Sequence, residues 1–504
     1  MVMSVAIRVD ASARIGTGHV RRCLSVASAL RRTGAEVAFV TRDLGVSVPE
    51  IVARDTKLPV HVLPAASDGI PAEGPAHAAW AQVSWQRDAR ETSEVLAAAR
   101  PDWLIVDHYA FDLRWHEDVQ ARLAARLCVI DDLADRRLCG DLLVDHNLHA
   151  DHRAKYETVA SGFRKLLGGP RFALLSEAYR RAPRYRFQEQ VRSIGIFLGG
   201  TDSGGHSVTA LHACRDVAGF RGRIQVVTTT ANPDLARLRA ECASLDADLL
   251  VDLPDLSAFF AQHDLQIGAG GGAALERCCV GAPAIALVCA ANQEEVVAHL
   301  KAAGAVRAVS ENSIAAIGAE VSSLLADPQQ RRRMCEATSG LVDGRGAERV
   351  AVAMSAERIS LRDATAEDAT LAYGWRNDSR TRRFSRDPRE ISSVDHVTWW
   401  SRVLDDPARH LLIASCGDIA VGVLRIDEEA DNGEVSIYLD PGLVGLGLGP
   451  PLLRAGQQWI RQRSPSLRRL RAEILEMNRA SAAIFAGAGF ERVDDTHWKW
   501  EIRP

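Results

Sequence analysis

The sequence predicts an α/β chain: two successive doubly wound parallel-sheet units, then a smaller α+β unit with a mixed, mostly antiparallel sheet. Three observations carry this expectation. Apolar runs ending in Asp, His or Asn alternate with helical segments through the first third, as strands buried on both faces do. A second alternating set with the same layout opens at SIGIFLGGTD. Beyond residue 355 the pattern changes to closely spaced, antiparallel-looking strands. A chain of 504 residues also corresponds to about three domains at roughly 150 residues each. The expected divisions are 1–185, 186–354 and 356–504.

Taken in order, VAIRVD reads as a buried strand, ASARIGTGH as a loop and VRRCLSVASALRRTG as a helix. AEVAFVTRD, PDWLIVDHY, RLCVIDD and DLLVDHN follow as strands. Ligands of parallel sheets sit at the carboxyl ends of the strands. That rule gathers Asp10, Asp107, His108, Asp131, Asp132, Asp145 and His146 near one edge. APRYRFQEQVR is polar, lacks periodicity and reads as a linker. The second set continues with RIQVVTTT, ADLLVDL, DLQIGAGGG and APAIALVCA, and closes with a helix ending near Met354. The last unit holds HLLIASCGD, IAVGVLRID and GEVSIYLDP, a glycine loop and helix, then LRRLRAEIL, another helix and a final strand pair.

Composition excludes several classes. Lys and Arg number 61 against 65 Asp and Glu, so no basic surplus points to nucleic acid or anionic lipid. No apolar run reaches the ~18 residues of a membrane span, and MVMSVAIRVD is too short and polar for a signal peptide. The ten cysteines are scattered without a CxxC pair, and the adjacent Cys278 and Cys279 read as buried thiols. The expectation is a cytoplasmic protein without a disulfide framework.

Glycine turns carry the chemistry. Gly16, Gly18 and His19 lie between a strand and a helix. Backbone N–H groups there approach a phosphate closely, although a tight βα turn needs the same glycines. His19 at the helix start reads either as a general base, its neutral form favoured by the helix dipole, or as a structural histidine. Gly199, Gly200, Thr201 and Asp202 follow a second strand, and Gly268, Gly270, Gly271 and Gly272 precede a helix containing Glu276. Three such turns suit a nucleoside diphosphate. Glu276 accepts from ribose hydroxyls or is a helix-start acid. Asn292 and Gln293 bind sugar hydroxyls or cap a helix.

Together, IRVDASARIGTGHVRRCLSVASAL, IVDHYAFD, FLGGTD, IGAGGGAALERCCVGAPAIALVCAANQ and DGRGAERV resemble the UDP-sugar hydrolases of pseudaminic acid biosynthesis over residues 4–354. Their wider relatives are the two-domain GT-B glycosyltransferases of the MurG type. The resemblance implies a GT-B arrangement and hydrolysis of UDP-2,4-diacetamido-2,4,6-trideoxy-β-L-altropyranose to UDP and free sugar, with water as acceptor. It also implies that His19 positions or deprotonates the water, that Tyr109 and Asn292 lie near the sugar, and that Glu276 with Gly270, Gly271 and Gly272 holds the nucleotide. The strand-end Asp and His residues are too dispersed for a metal cluster, so no metal is expected.

In the last unit a strand runs into Val444, Gly445, Leu446, Gly447, Leu448 and Gly449 and then a helix, with Asn478, Ser481 and Phe485 downstream of it. This order resembles the GNAT acetyltransferases over 357–502. The resemblance implies acetyl-CoA as cosubstrate, its pyrophosphate on the loop at Leu446, Gly447, Leu448 and Gly449, and cofactor contacts from Asn478 and Ser481. Two positions depart from the family. Val444 stands where Arg or Gln is usual, and Phe485 where a tyrosine protonates the leaving thiolate. Tyr438 is an alternative donor or a packing residue. Glu434 is a base acting on the amine, or an exposed strand residue. Tyr373, Trp375, Arg376 and Asn377 resemble the acceptor side of nucleotide-sugar N-acetyltransferases. Arg380, Arg382 and Arg383 hold a nucleotide phosphate or form a solvated basic face. The chain is thus expected to be bifunctional. It would acetylate the 4-amino group of a UDP-linked 4-amino-4,6-dideoxy sugar and then release UDP. The rival expectation is hydrolysis or glycosyl transfer on a related UDP-sugar, beside a catalytically weak CoA-binding module.

Overall fold

Runs rich in Val, Ile and Leu form strands where both faces are covered by helices. Ser4–Val9 is buried at all but its first residue, and Trp103–Asp107 throughout. The computed structural model describes residues 2–66, 73–464 and 466–502. It divides into two compact units. One comprises Met3–Ser28 and Glu36–Val350, the other Ala351–Pro504 with Met1–Val2 and Ala29–Ala35.

The larger unit holds two parallel sheets. The first has the spatial order Val60–Leu63, Glu36–Arg42, Ser4–Val9, Trp103–Asp107, Arg126–Ile130, Leu142–Asp145, Lys165–Gly168. Every pairing in it is parallel. The second has the order Asp248–Val251, Arg223–Thr228, Ser193–Phe197, Leu265–Ala269, Ala284–Leu287, Arg307–Ala308, again parallel throughout. Both sheets reverse direction beside their first strand, the doubly wound topology that opens a ligand crevice at the strands' carboxyl ends. This is an α/β fold of two Rossmann-like lobes in tandem.

The stretch 182–192 is without helix or strand, as its polarity predicts. The passage to the second lobe begins earlier, because Ala173, Leu175 and Tyr179 already pack into that lobe's apolar core. The helix Gly346–Met354 ties the passage down. Arg180 and Arg345 flank Glu348 at 2.8 and 2.6 Å, and Arg349 donates to the Arg171 carbonyl at 2.6 Å and to Asp343. Gly346 lies against the Phe172 and Ala173 backbone, where no side chain fits. The DGRGAERV motif is therefore a structural lock. Cys278 and Cys279 are buried thiols in the helix Gly272–Val280.

The smaller unit has a seven-stranded sheet in the order Ser360–Asp363, Arg409–Cys416, Ile419–Glu429, Asn432–Leu439, Arg469–Glu473, His497–Glu501, Glu491–Arg492. All its pairings are antiparallel except Asn432–Leu439 with Arg469–Glu473. That parallel pair is in register only at Asn432↔Arg469, Gly433↔Leu470 and Glu434↔Arg471, and the strands part beyond Glu434. Among the described residues no helix is long and apolar enough to cross a membrane.

Candidate functional site

The strand-end residues of the first lobe converge. His19 stands in the first turn of the helix Gly18–Arg32, delivered by the loop whose Gly16 takes φ +75° and donates to the Ser12 carbonyl at 2.8 Å. The His19 Nδ1 lies 2.6 Å from Asp107 Oδ1 at the end of its strand. Arg22, one turn further along the helix, grips the same carboxylate through Nε and a terminal nitrogen, both at 2.6 Å. Burial opposes ionisation of Asp107, but Arg22 and His19 outweigh it and hold the carboxyl well below the usual range. An ionised carboxylate only accepts, so His19 donates to it through Nδ1, and in the neutral imidazole the lone pair then lies on Nε2. The Arg22 nitrogen 3.2 Å from Nδ1 is then a neighbour and not a donor to it.

A second carboxylate completes the cluster. Asp132 accepts from the Tyr109 hydroxyl and from Asn147 Nδ2 at 3.0 Å, with Arg22 at 3.5 Å. Its burial is outweighed by Arg22, His146 and the Tyr109 bond, which bring it down to about 2. Burial and Asp132 push the Tyr109 hydroxyl well up, so it stays a neutral donor. The Tyr109 ring meets His19 edge-on at 4.7 Å, and Trp80 closes over both at 5.5 and 6.3 Å. Burial and Arg22 bring His146 down to about 4, so it is neutral at pH 7. Beneath lies a dry ionic floor. Arg8 bridges Asp10 and Asp88, Arg42 reaches Asp88 at 3.0 Å, and His108 faces Asp10 at 3.2 Å. Asp131 and Asp145 share the Tyr156 hydroxyl, and Asp145 pairs with Lys155 at 2.9 Å.

The second lobe presents its own strand ends. Gly199 takes φ +101°, and the Gly200 carbonyl is held by Thr228 and Thr229 hydroxyls at 3.1 and 2.9 Å. Thr201 follows, half-buried. Asp202 accepts from the His206 and Ser207 N–H groups at 3.0 and 2.9 Å, so it caps the next helix. Gly270, Gly271 and Gly272 lead into the helix Gly272–Val280, and a side chain at Gly270 would collide with Val297. Glu276, half-buried, accepts from the Tyr179 hydroxyl at 2.7 Å, and burial raises its carboxyl. Asn292 is exposed on the turn Ala291–Gln293. The Gln293 Oε1 accepts from Gly270 and Cys289 N–H groups at 3.2 and 3.0 Å, which makes this side chain a tie between two loops. Glu295, beyond the end of the strand Ala284–Leu287, approaches His149 and Lys155, beyond the end of the strand Leu142–Asp145, at 3.5 and 3.6 Å, so the carboxyl ends of the two sheets lie toward each other.

In the smaller unit Leu446 and Leu448 are buried anchors, while Gly445 and Gly447 take φ +89° and +77° and turn the backbone outward. Gly449 opens the helix Gly449–Arg463 against Ile484, and Pro450 and Pro451 follow it. Prolines carry no N–H, so an anion at this turn would depend on the glycine loop. Asn478 caps the helix Arg479–Gly487 by accepting from the Ser481 N–H at 3.1 Å, which leaves its amide nitrogen directed elsewhere. Glu434 is exposed and paired with Arg386 at 3.2 Å. Tyr438 packs against the Trp375 and Trp400 core, and burial raises its hydroxyl. Tyr373 lies tilted against His396 at 5.4 Å, and Asn377 fastens the Ile391 backbone. Arg380 pairs with Asp378, Arg382 with Glu390, and Arg383 lies over the Phe384 ring.

Arg22, Trp80 and Asn147 join the first cluster without having been anticipated. Arg22 stood in plain sight, three residues after His19 in GHVRR. Trp80 lies in a stretch with no periodic pattern, and only the fold brings it to Tyr109.

Residues 358–491 match the acetyltransferase (GNAT) domain family, so this segment is a GNAT domain. Comparison with curated proteins finds no match. Among solved structures, a Listeria monocytogenes protein named for UDP-N-acetylglucosamine 2-epimerase activity is similar at 14% identity. The match covers 71% of this chain and 97% of that one, with a TM-score of 0.47. The aminoglycoside acetyltransferase AAC(6')-Ib, solved with coenzyme A and kanamycin, is similar at 19% identity, over 28% of this chain and 94% of that one, TM-score 0.26. A Vibrio cholerae spermidine N-acetyltransferase solved with CoA and spermine shows 12% identity, over 28% and 95%, TM-score 0.26.

Proposed function

We propose that the chain is a bifunctional nucleotide-sugar enzyme organised as modules 1–185, 186–354 and 356–504. The first two hydrolyse a UDP-linked 2,4-diacetamido-2,4,6-trideoxy sugar, and the third acetylates the 4-amino group of its precursor with acetyl-CoA. The observation that carries the reading is the His19–Asp107 pair at 2.6 Å. It fixes the imidazole as an Nδ1–H tautomer with Nε2 ready to accept a proton.

The steps balance. Nε2 takes a proton from water as its oxygen attacks the anomeric carbon. The bond from that carbon to the UDP oxygen breaks and UDP departs with the electron pair. Asp107 stabilises the imidazolium. Backbone N–H groups at Gly199, Gly200, Thr201, Gly271 and Gly272 receive the growing diphosphate charge, Gly270, whose N–H is spent on Leu287 and Gln293, shapes the turn, and Glu276 takes the ribose hydroxyls. Tyr109 and Trp80, inclined at 40° to each other, supply apolar ring surface beside the reacting centre, and exposed Asn292 is left to contact the sugar.

In the GNAT domain, a neutral amine attacks the thioester carbonyl, the C–S bond breaks, and the thiolate takes a proton. The parting of strands beyond Glu434 exposes main-chain groups of Val435–Leu439 for the pantetheine arm, and Glu434 acts on the amine proton through water. UDP-sugar, acetyl-CoA and water are then the partners, and neither nucleic acid nor a membrane is needed.

The test is mass spectrometry of products after the full chain meets a UDP-4-amino sugar and acetyl-CoA. Acetylated free sugar, UDP and CoA are expected together. UDP appearing only when a second sugar is added would replace hydrolysis with glycosyl transfer. CoA binding without acetyl transfer would reduce the GNAT domain to a binding module.

A further inference from the structure

We infer that His149, Glu295 and His299 form a binding site for a divalent transition-metal ion that ties the two Rossmann-like lobes together. His149 follows the strand Leu142–Asp145 of the first lobe, and Glu295 and His299 lie on the helix Glu294–Ala302 of the second. One potential ligand atom from each residue lies within 4.8 Å of the other two. The His149 and His299 rings meet edge-on at 4.9 Å, and the His149 Nε2 is 3.5 Å from Glu295 Oε1.

Two further observations point to an ion. The Nδ1 of His299 is buried and has no hydrogen-bond partner among the described residues. Buried polar nitrogens are normally satisfied, and a bound metal ion or a water would supply the missing partner. Glu295 and His299 are also four residues apart on one helix, a spacing that sets both side chains on the same face. Two imidazoles and one carboxylate suit zinc or cobalt(II), with a fourth position left to water.

The competing arrangement is an ion pair, and it is weak. Lys155 reaches Glu295 at 3.6 Å, but its firmer bonds go to Asp145 at 2.9 Å and the Asp132 carbonyl at 2.8 Å. Glu295 therefore swings to a metal without stranding a charge. The Asp151 N–H donates to His149 Nδ1 at 3.0 Å. Binding through Nε2 moves the imidazole proton to Nδ1 and turns the exposed Asp151 N–H to water. Tetrahedral zinc with bonds of about 2.1 Å sets its ligand atoms about 3.4 Å apart. The half-exposed Glu295 side chain makes the adjustment.

The experiment uses the full chain stripped with chelator and titrated with cobalt(II), then zinc. Expected are one bound ion per chain, a cobalt absorption spectrum free of thiolate charge-transfer bands, and a raised melting temperature. Glu295→Gln and His299→Gln should each weaken binding about tenfold or more, and circular dichroism confirms that both fold. No binding, unchanged binding in both variants, or thiolate bands from the cysteines would overturn the site. The readout is metal occupancy, so it stands apart from UDP release and acetyl transfer.

Discussion

The Asp107 carboxylate holds two partners from successive turns of one helix, His19 at 2.6 Å through Nδ1 and Arg22 at 2.6 Å through two nitrogens. This makes Asp107 a positioning residue. It sets which imidazole nitrogen carries the proton, and Arg22 keeps it ionised in a dry setting. Replacement by Asn keeps the shape but offers an amide that donates to Nδ1 and reverses the tautomer. Asp107→Asn should lower kcat for UDP release by about 10²–10⁴ with little change in KM. The acid limb of the pH–rate profile should change with it, which loss of a merely structural contact would not produce. Undiminished turnover would remove His19 from the chemistry.

Glu276 accepts from the Tyr179 hydroxyl at 2.7 Å, and burial raises its carboxyl. A carboxylate that grips ribose binds ground and transition states alike. Glu276→Gln should therefore weaken UDP about tenfold by calorimetry and raise KM, with kcat nearly unchanged. Tyr179→Phe should weaken UDP less, and the double variant should be no worse than Glu276→Gln alone. A fall in kcat with KM unchanged would place Glu276 at the reacting centre instead.

Much of this architecture was legible in the sequence. Runs such as PDWLIVDHY and DLLVDHN end in polar residues, and in a parallel sheet those ends meet. What periodicity could not reveal is which partners they choose. Asp10 and His108 face each other in the ionic floor, while Asp107 turns to His19. Gln293 offered a sugar-binding amide but spends its oxygen on Gly270 and Cys289. The His149, Glu295 and His299 group escaped notice because its halves are far apart in the chain and meet only when the lobes do.

Acid should destabilise the first lobe through its histidines before its carboxylates. Burial brings His146 down to about 4 and His116 to about 3. Unfolded, both titrate near 6.5. As pH falls through 6.5 the unfolded chain gains protons that the folded chain refuses, so stability drops by about 1.4 kcal/mol per pH unit for each imidazole. The loss from His146 is complete below about 4. Asp132, held near 2, keeps its contribution until pH falls below the ordinary carboxylate range. Denaturant titrations at pH 7 and 5.5 should show the decline, and His116→Gln should make it shallower. An equal decline in both proteins would refute this origin.

The loop before the helix Gly449–Arg463 needs Gly447 at φ +77°, where an L side chain is strained. Pro450 and Pro451 remove two N–H groups that a helix start normally offers an anion. On the proposed reading, the pyrophosphate contact would then fall to the loop's own backbone, with little redundancy. Gly447→Ala should weaken acetyl-CoA binding about tenfold, measured by calorimetry, and leave UDP release from a pre-acetylated sugar unchanged. Equal affinity in the variant would move the pyrophosphate off this loop.

Phe485 tests whether the GNAT domain has lost its proton donor or relocated it. Its ring is 3% exposed and meets Phe490 edge-on at 4.9 Å, with Trp500 tilted beyond Phe490 at 6.3 Å. A tyrosine there would bring a hydroxyl into an aromatic cluster, and an unpaired buried hydroxyl costs about 1–3 kcal/mol. Phe485→Tyr should lower the melting temperature and leave the rate of CoA release unimproved, because the thiolate takes its proton from water. A tenfold rise in acetyl transfer would show instead that this ring faces the sulfur and that the hydroxyl is the missing acid.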